Sequence, residues 1–216
     1  MKDPIHPLAG VFAALGRLVS GVQVRWDGSR PEPRQRIYYA NHTSHLDFLV
    51  LWAALPRELR ARTRAVAAKD YWERGTVRPY LAQRVFRAVL VEREAAAPAA
   101  GARARPVAAR DLIDRLDVAL GRDGSLIIFP EGTRGTGETV APFKSGLYHL
   151  ARRRPDVELL PVHIDNLNRI LPKGEILPVP LISTVTFGAP LHLTPGESKM
   201  AFLARARDAV CGLRRN

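Results

Sequence analysis

Cysteine is nearly absent from this 216-residue chain, which carries only Cys211. One cysteine excludes an intramolecular disulfide framework and a cysteine-based zinc cluster, and it fits a reducing compartment. Acidic residues are also scarce: 21 Asp and Glu face 33 Lys and Arg, for a net charge of +12. Lysine is rare too, with 5 against 28 arginines. An Arg- and Ala-rich composition is one that GC-rich coding produces. Physically, the same excess favours a polyanion, an anionic membrane face or phosphorylated substrates. Aromatic residues reach only 7%, and the arginines are scattered. No recognition helix or aromatic-interleaved basic pattern is present, so nucleic acid is not an expected partner. A long apolar span is missing as well. The longest uncharged run, Ile176 to Gly196, is broken by Pro178, Pro180, Pro190 and Pro195, which no continuous spanning helix tolerates. What remains is 46% hydrophobic and 25% charged, an ordinary globular balance in a chain long enough to bury one core without a metal or disulfide.

The N-terminus carries the clearest amphipathic pattern. Leu8, Val11, Phe12, Leu15, Leu18, Val19 and Val22 form one apolar helical stripe. Arg17 interrupts it, with a side chain long enough to snorkel toward an interface. The stripe can pack on the domain's own core or lie in a headgroup layer. Residues 1–24 therefore read as a short N-terminal amphipathic helix ahead of a domain over 25–216. A cleaved signal peptide is not expected, because Lys2 is offset by Asp3 and no small-x-small site follows.

Beyond it, short apolar runs alternate with amphipathic stretches. Ile37–Ala40, Arg64–Ala68, Ala88–Val91, Ser125–Phe129, Leu159–Ile164 and Ile182–Phe187 read as strands. Leu46–Leu59, Val77–Arg87, Val107–Leu120, Lys144–Arg153 and Lys199–Leu213 read as helices. Glu94–Arg105 has no periodicity and reads as a mobile loop. The alternation predicts an α/β fold: a single domain with a mainly parallel central sheet flanked by helices.

Two segments carry chemistry. In Asn41-His42-Thr43-Ser44-His45-Leu46-Asp47, a strand gives way to a helix, with four residues between His42 and Asp47. Ligands and catalytic groups gather at such strand ends. A carboxylate on the imidazole Nδ1–H fixes the tautomer and leaves Nε2 as a proton acceptor. That makes a general base with its orienter and no built-in nucleophile, suited to a substrate whose own hydroxyl attacks. Ser44-x-x-Asp47 also has capping-box spacing, a purely structural reading that can coexist with the dyad. The familiar metallo-hydrolase pattern H-x-H-x-D-H is not met, and no metal is expected.

The second segment, Ile127-Ile128-Phe129-Pro130-Glu131-Gly132-Thr133-Arg134-Gly135, runs from an apolar strand into a Gly-rich turn. Gly132, Gly135 and Gly137 allow successive N–H groups to converge, and Arg134 adds a forked cation suited to phosphate. The turn is neither a P-loop nor a dinucleotide fingerprint. An ordinary surface loop is the plain alternative. If the strand ends adjoin, Arg93, Arg134 and Lys144 can ring one anion.

Together the segments resemble the PlsC-type glycerolipid acyltransferases, which include 1-acyl-glycerol-3-phosphate and other lysophospholipid acyltransferases. The H-x4-D motif falls on His42 and Asp47, and F-P-E-G-T-R runs from Phe129 to Arg134. The G-x-I-F-I-x-R block falls on Arg87–Arg93, with Arg93 kept, Arg87 in place of the glycine and Leu90 in place of an aromatic. The V-P-V block appears as Leu160-Pro161-Val162, and the resemblance covers residues 30–190. It implies an acyltransferase domain over 25–216 that moves a fatty acyl group from acyl-CoA or acyl-carrier protein to a lysophospholipid hydroxyl. The most direct acceptor is 1-acyl-glycerol-3-phosphate, giving phosphatidic acid. His42 is then the base and Asp47 its orienter. Glu131, Gly132, Thr133 and Arg134 attend the acceptor's glycerol-phosphate end, with Arg93 and Lys144 assisting. No metal or redox cofactor is implied, and no covalent enzyme intermediate is needed, which agrees with the lack of a Gly-x-Ser-x-Gly elbow. An anionic membrane surface is an expected partner, and peripheral attachment to the inner face of the cell membrane the expected location. Other acceptors (another lyso-lipid or glycerol 3-phosphate), a hydrolase using water, and a non-enzymatic membrane-binding module are the competing expectations. The Pro-rich segment Leu171–Pro180 is a candidate for acceptor choice.

Overall fold

A computed structural model describes residues 6–92, 106–165 and 182–214. Arg93, the expected loop Glu94–Arg105 and the segment Leu171–Pro180 lie outside the described residues.

In chain order the elements are α1 (Pro7–Ser20), β1 (Gln23–Trp26), β2 (Arg36–Ala40), α2 (Asp47–Ala54), α3 (Arg57–Arg62) and β3 (Thr63–Ala68). Next come α4 (Lys69–Trp72), α5 (Val77–Tyr80) with a π-helical turn over Leu81–Val85, β4 (Val89–Val91) and α6 (Pro106–Leu120). The order closes with β5 (Ser125–Ile128), α7 (Gly146–Arg153), β6 (Glu158–Asp165), β7 (Thr184–Phe187) and α8 (Lys199–Cys211). The seven strands form one sheet in the order β1-β7-β6-β2-β5-β3-β4. Every pairing is parallel except β6 with β7. The α/β fold with a mainly parallel sheet is as expected, with one antiparallel junction that makes it mixed.

Every residue of β2 is buried, because the strand is central and covered on both faces. Its side chains divide with the pleat. Tyr38 and Ala40 join a core with Leu51 and Ala53 of α2, while Ile37 and Tyr39 join another with Leu120 of α6, Leu150 of α7 and Phe202 of α8.

Two expected helices differ in detail. The stretch Leu46–Leu59 is two helices, because Pro56 forces Leu55 into an extended conformation (ψ 141°). The stretch Val77–Arg87 forms one helical turn and then a π-helical turn that ends before Arg87. Strand β1 went unread because it is an exposed edge strand without a buried apolar run.

Helix α1 packs against α2, but not through its large apolar residues. Ala9, Ala13, Gly16 and Ser20 are its buried side. These small residues permit close approach: a Cβ on Gly16 would sit 3.1 Å from Leu49 Cγ and 3.4 Å from Ala53 Cβ. Phe12 reaches the core edge-on to Phe86. Leu8, Val11, Leu15 and Leu18 face outward, with Leu18 81% exposed. Arg17 does not run free to an interface; its Nε donates to Ala53 O at 2.7 Å, satisfying a terminal carbonyl of α2. The helix is thus both packed on the core and apolar on its solvent side.

Arg87 has φ +52°, alone among the described non-glycine residues in being positive. It stands at the position where the G-x-I-F-I-x-R pattern has glycine, so the backbone keeps the glycine conformation without the glycine. Holding an L-residue there costs roughly 1–2 kcal/mol. Arg87→Gly is therefore expected to raise stability by about 1 kcal/mol, read as a higher urea midpoint at unchanged slope. A lowered midpoint would show that the Arg87 side chain contributes more than the strain removes.

Candidate active site

The site follows from sheet register. Strands β2 and β5 are parallel neighbours, with Tyr39 opposite Ile128. Both strands therefore leave the sheet at the same end, and the segment after Ala40 meets the turn after Ile128. Asn41 anchors the first segment: its side-chain amide donates to Ile164 O at 2.9 Å and accepts from Ile164 N–H at 2.8 Å.

His42 and Asp47 are brought together. His42 Nδ1 lies 2.8 Å from Asp47 Oδ2, with the carboxylate fully buried and the imidazole 22% exposed. The same Oδ2 accepts from the backbone N–H of Thr43 and, at 2.8 Å, from that of Ser44. Against a carboxylate, Nδ1 carries the proton, so Nε2 is the free basic nitrogen. The imidazole stacks on Phe129 with centroids 4.3 Å apart, which fixes its plane. The capping reading is half realised. Asp47 reaches back to Ser44 N–H as a capping box requires, but Ser44 Oγ accepts from Leu46 N–H at 3.2 Å instead of from Asp47. One carboxylate thus shapes the loop and orients the imidazole.

The Gly-rich turn presents Gly132, Thr133 and Arg134 to solvent beside this pair. Gly132 N–H closes the turn on Phe129 O at 3.0 Å. Gly132 has φ +72°, and a Cβ there would lie 2.6 Å from Lys144 Cε and 2.8 Å from Lys144 Nζ. The Lys144 ammonium is therefore laid across the turn, a position its backbone supports by donating from N–H to Pro130 O at 2.8 Å. Neither Arg134 nor Lys144 has an acidic partner among the described residues. Two such cations on one turn form a candidate phosphate cradle made by side chains. The expected convergence of glycine N–H groups is not what this turn shows: Gly132 N–H goes to Phe129 O and Gly135 N–H to His42 O, and Gly135 does not take a positive φ. Glu131 belongs to the same turn, but its carboxylate points inward: Oε1 accepts from His42 N–H at 2.7 Å and Oε2 from Ala141 N–H at 2.8 Å.

Sequence reasoning missed three contacts. Phe129 was read as strand, not as the platform under the imidazole. Gly135 N–H donates to His42 O at 2.8 Å, a backbone contact without a side-chain signal. His45 stacks on Tyr71 with centroids 5.2 Å apart, and Arg78 Cζ stands 4.5 Å from the centroid of the Tyr71 ring. Burial, then the charges of Arg134, His42 and Arg78, hold the His45 imidazole below its ordinary pKa. Among the described residues, no three metal-ligating side chains gather at one point.

The family model described as Acyltransferase matches residues 22–165. The 1-acyl-sn-glycerol-3-phosphate acyltransferase of Limnanthes douglasii is 29% identical over 178 residues, covering 81% of this chain and 56% of that protein. The protein of the same description from Limnanthes alba is 30% identical over 176 residues, covering 80% and 56%. The chain thus spans about half the length of the curated relatives it matches. The crystal structure of the 1-acyl-sn-glycerophosphate acyltransferase PlsC from Thermotoga maritima shares the fold, with a TM-score of 0.67 at 22% identity over 95% of this chain and 78% of that one. Because the family model takes in more than half of its length, this chain belongs to the acyltransferase family.

Proposed function

We propose that the chain transfers a fatty acyl group from an acyl thioester to the free hydroxyl of 1-acyl-glycerol-3-phosphate, giving phosphatidic acid. The observation that carries this reading is the 2.8 Å His42–Asp47 contact beside two unneutralised cations. Nε2 of His42 accepts the hydroxyl proton while the oxygen bonds to the thioester carbonyl carbon. Asp47 stabilises the imidazolium. The tetrahedral adduct then expels the thiolate, which takes the proton back from Nε2, leaving ester and thiol. Base catalysis of this kind supplies roughly 10²–10⁴-fold, and holding both substrates in place supplies much of the rest. Arg134 and Lys144 receive the acceptor's phosphate above Gly132 and Thr133, with Arg93 assigned to the same role by family resemblance. The donor is acyl-CoA or acyl-carrier protein, and no metal or redox cofactor takes part.

Incubating the protein with a long-chain acyl-CoA and 1-acyl-glycerol-3-phosphate, with lipid products read by mass, tests the reading. Phosphatidic acid is the expected product. Free fatty acid formed equally with and without acceptor would make the chain a hydrolase instead. Arg134→Ala is expected to raise KM for the phosphorylated acceptor about 10- to 100-fold, the loss of one charge-assisted contact. An unchanged KM would remove Arg134 from the cradle.

The reaction is placed at an anionic membrane surface, at the inner face of the cell membrane. None of the described helices is long and apolar enough to cross a membrane. Support for peripheral attachment comes from the outward row Leu8, Val11, Leu15 and Leu18. Exposed Val77 and Tyr80 extend it, since the Tyr80 hydroxyl lies 3.0 Å from His6 Nε2 at the start of α1. Removing α1 would uncover α2, so paired substitution is the cleaner test. Leu15→Glu with Leu18→Glu is expected to leave folding intact and to weaken sedimentation with anionic vesicles at least about 100-fold, at about 1.5 kcal/mol per lost side chain. Undiminished sedimentation would contradict the proposed attachment.

A further inference from the structure

The Glu131 carboxylate is only 5% exposed, although its neighbours Gly132, Thr133 and Arg134 face solvent. Both of its oxygens are occupied by backbone donors: Oε1 by His42 N–H at 2.7 Å and Oε2 by Ala141 N–H at 2.8 Å. The other backbone group of His42 is held by the same turn, since Gly135 N–H donates to His42 O at 2.8 Å. The base is therefore gripped on both sides by residues that bracket Gly132–Arg134. Ala141 stands three residues before Lys144, so the same carboxylate also ties down the limb that carries the second cation.

We propose that Glu131 is a positioning residue that keeps the base in register with the anion-binding turn, and not a ligand of the acceptor. The inference rests on the acyltransferase reading above. A carboxylate exposed in a phosphate cradle would repel its own substrate, whereas a buried one is stable only if charge-assisted hydrogen bonds satisfy it. Here two do, and both end on the backbone segments that carry the reacting and binding groups. Misplacing such groups by about 1 Å costs on the order of 10²-fold in rate.

Glu131→Gln keeps the shape but must present an N–H to one of the two backbone donors, breaking one bond. The expected result is a kcat about 10- to 100-fold lower, with KM for 1-acyl-glycerol-3-phosphate within about threefold of wild type. A raised KM with kcat retained would make Glu131 a substrate ligand and overturn the proposal. Gly135→Pro removes the donor on the other side of the grip and is expected to lower kcat as well, with KM rising too because proline restricts the backbone of Arg134. If the Gln variant does not fold, Glu131→Asp, which keeps the charge but is too short to span both donors, carries the test with the same two outcomes. A readout independent of catalysis is the backbone amide of His42 in ¹⁵N-resolved NMR. It is expected to be downfield and protected from exchange in the wild type, and to lose both properties in Glu131→Gln while sheet amides stay protected. An unmoved, still-protected His42 amide overturns the proposal. If the wild type transfers no acyl group to any lysolipid, the acyltransferase reading fails, and the amide measurement still decides whether Glu131 holds His42.

Discussion

His42→Ala is expected to lower kcat by about 10²–10⁴-fold while the thermal midpoint moves by only a few degrees. The rate loss follows from removing a basic nitrogen that the fold aims with a carboxylate behind it. Residual turnover would come from the bound substrates' proximity and the phosphate cradle. The small stability effect follows from the surroundings. The imidazole is 22% exposed and contributes one stacking contact with Phe129. When it is removed, Asp47 Oδ2 still accepts from Thr43 and Ser44 N–H, so the buried carboxylate keeps two of its three donors. Steady-state thiol release and a thermal melt on one preparation check both halves. Near-normal turnover would remove His42 from the mechanism.

Asp47→Ala is expected to damage both activity and folding. The carboxylate is fully buried at the start of α2 and serves three donors. Without it, the part-buried N–H of Thr43 and the buried N–H of Ser44 lose their acceptor, at up to about 1–3 kcal/mol each. The catalytic loss is on the order of 10⁴-fold, because the imidazole loses the group that fixes its tautomer and stabilises its cation. Asp47→Asn separates the two effects. Its amide oxygen still accepts from the backbone, so urea unfolding should change little, but its amide cannot stabilise an imidazolium, and kcat should fall nearly as far as in the alanine variant. An Asn variant with wild-type kcat would reduce Asp47 to a helix cap.

The part of this site legible in the sequence was its local chemistry. The spacing of His42 and Asp47 is short enough for a strand-to-helix turn to bring them together, and residue type alone marks Arg134 and Lys144 as cations. What could not be read was the placement of one segment on another. The contact between the two motifs depends on β2 and β5 being neighbours in register, and that pairing joins residues nearly ninety positions apart. Side-chain direction was equally hidden. Glu131 and Arg134 are three residues apart on one turn, yet one faces the protein and the other solvent. In α1 the apolar stripe was legible but its facing was not, because periodicity marks the large residues while close packing is achieved by the small ones, Ala9, Ala13 and Gly16. Strand β1 lacked a signal because edge exposure removed the apolar run that marks a buried strand.

The central claim is that His42 and Asp47 act as one proton-handling unit on a bound lipid alcohol. A double-mutant cycle tests it most directly, with kcat/KM for 1-acyl-glycerol-3-phosphate measured in wild type, His42→Ala, Asp47→Asn and the double variant. The account predicts that the double variant is no slower than His42→Ala, because an orienting carboxylate has nothing left to orient. Losses that multiply in the double variant would show two independent contributions and contradict it.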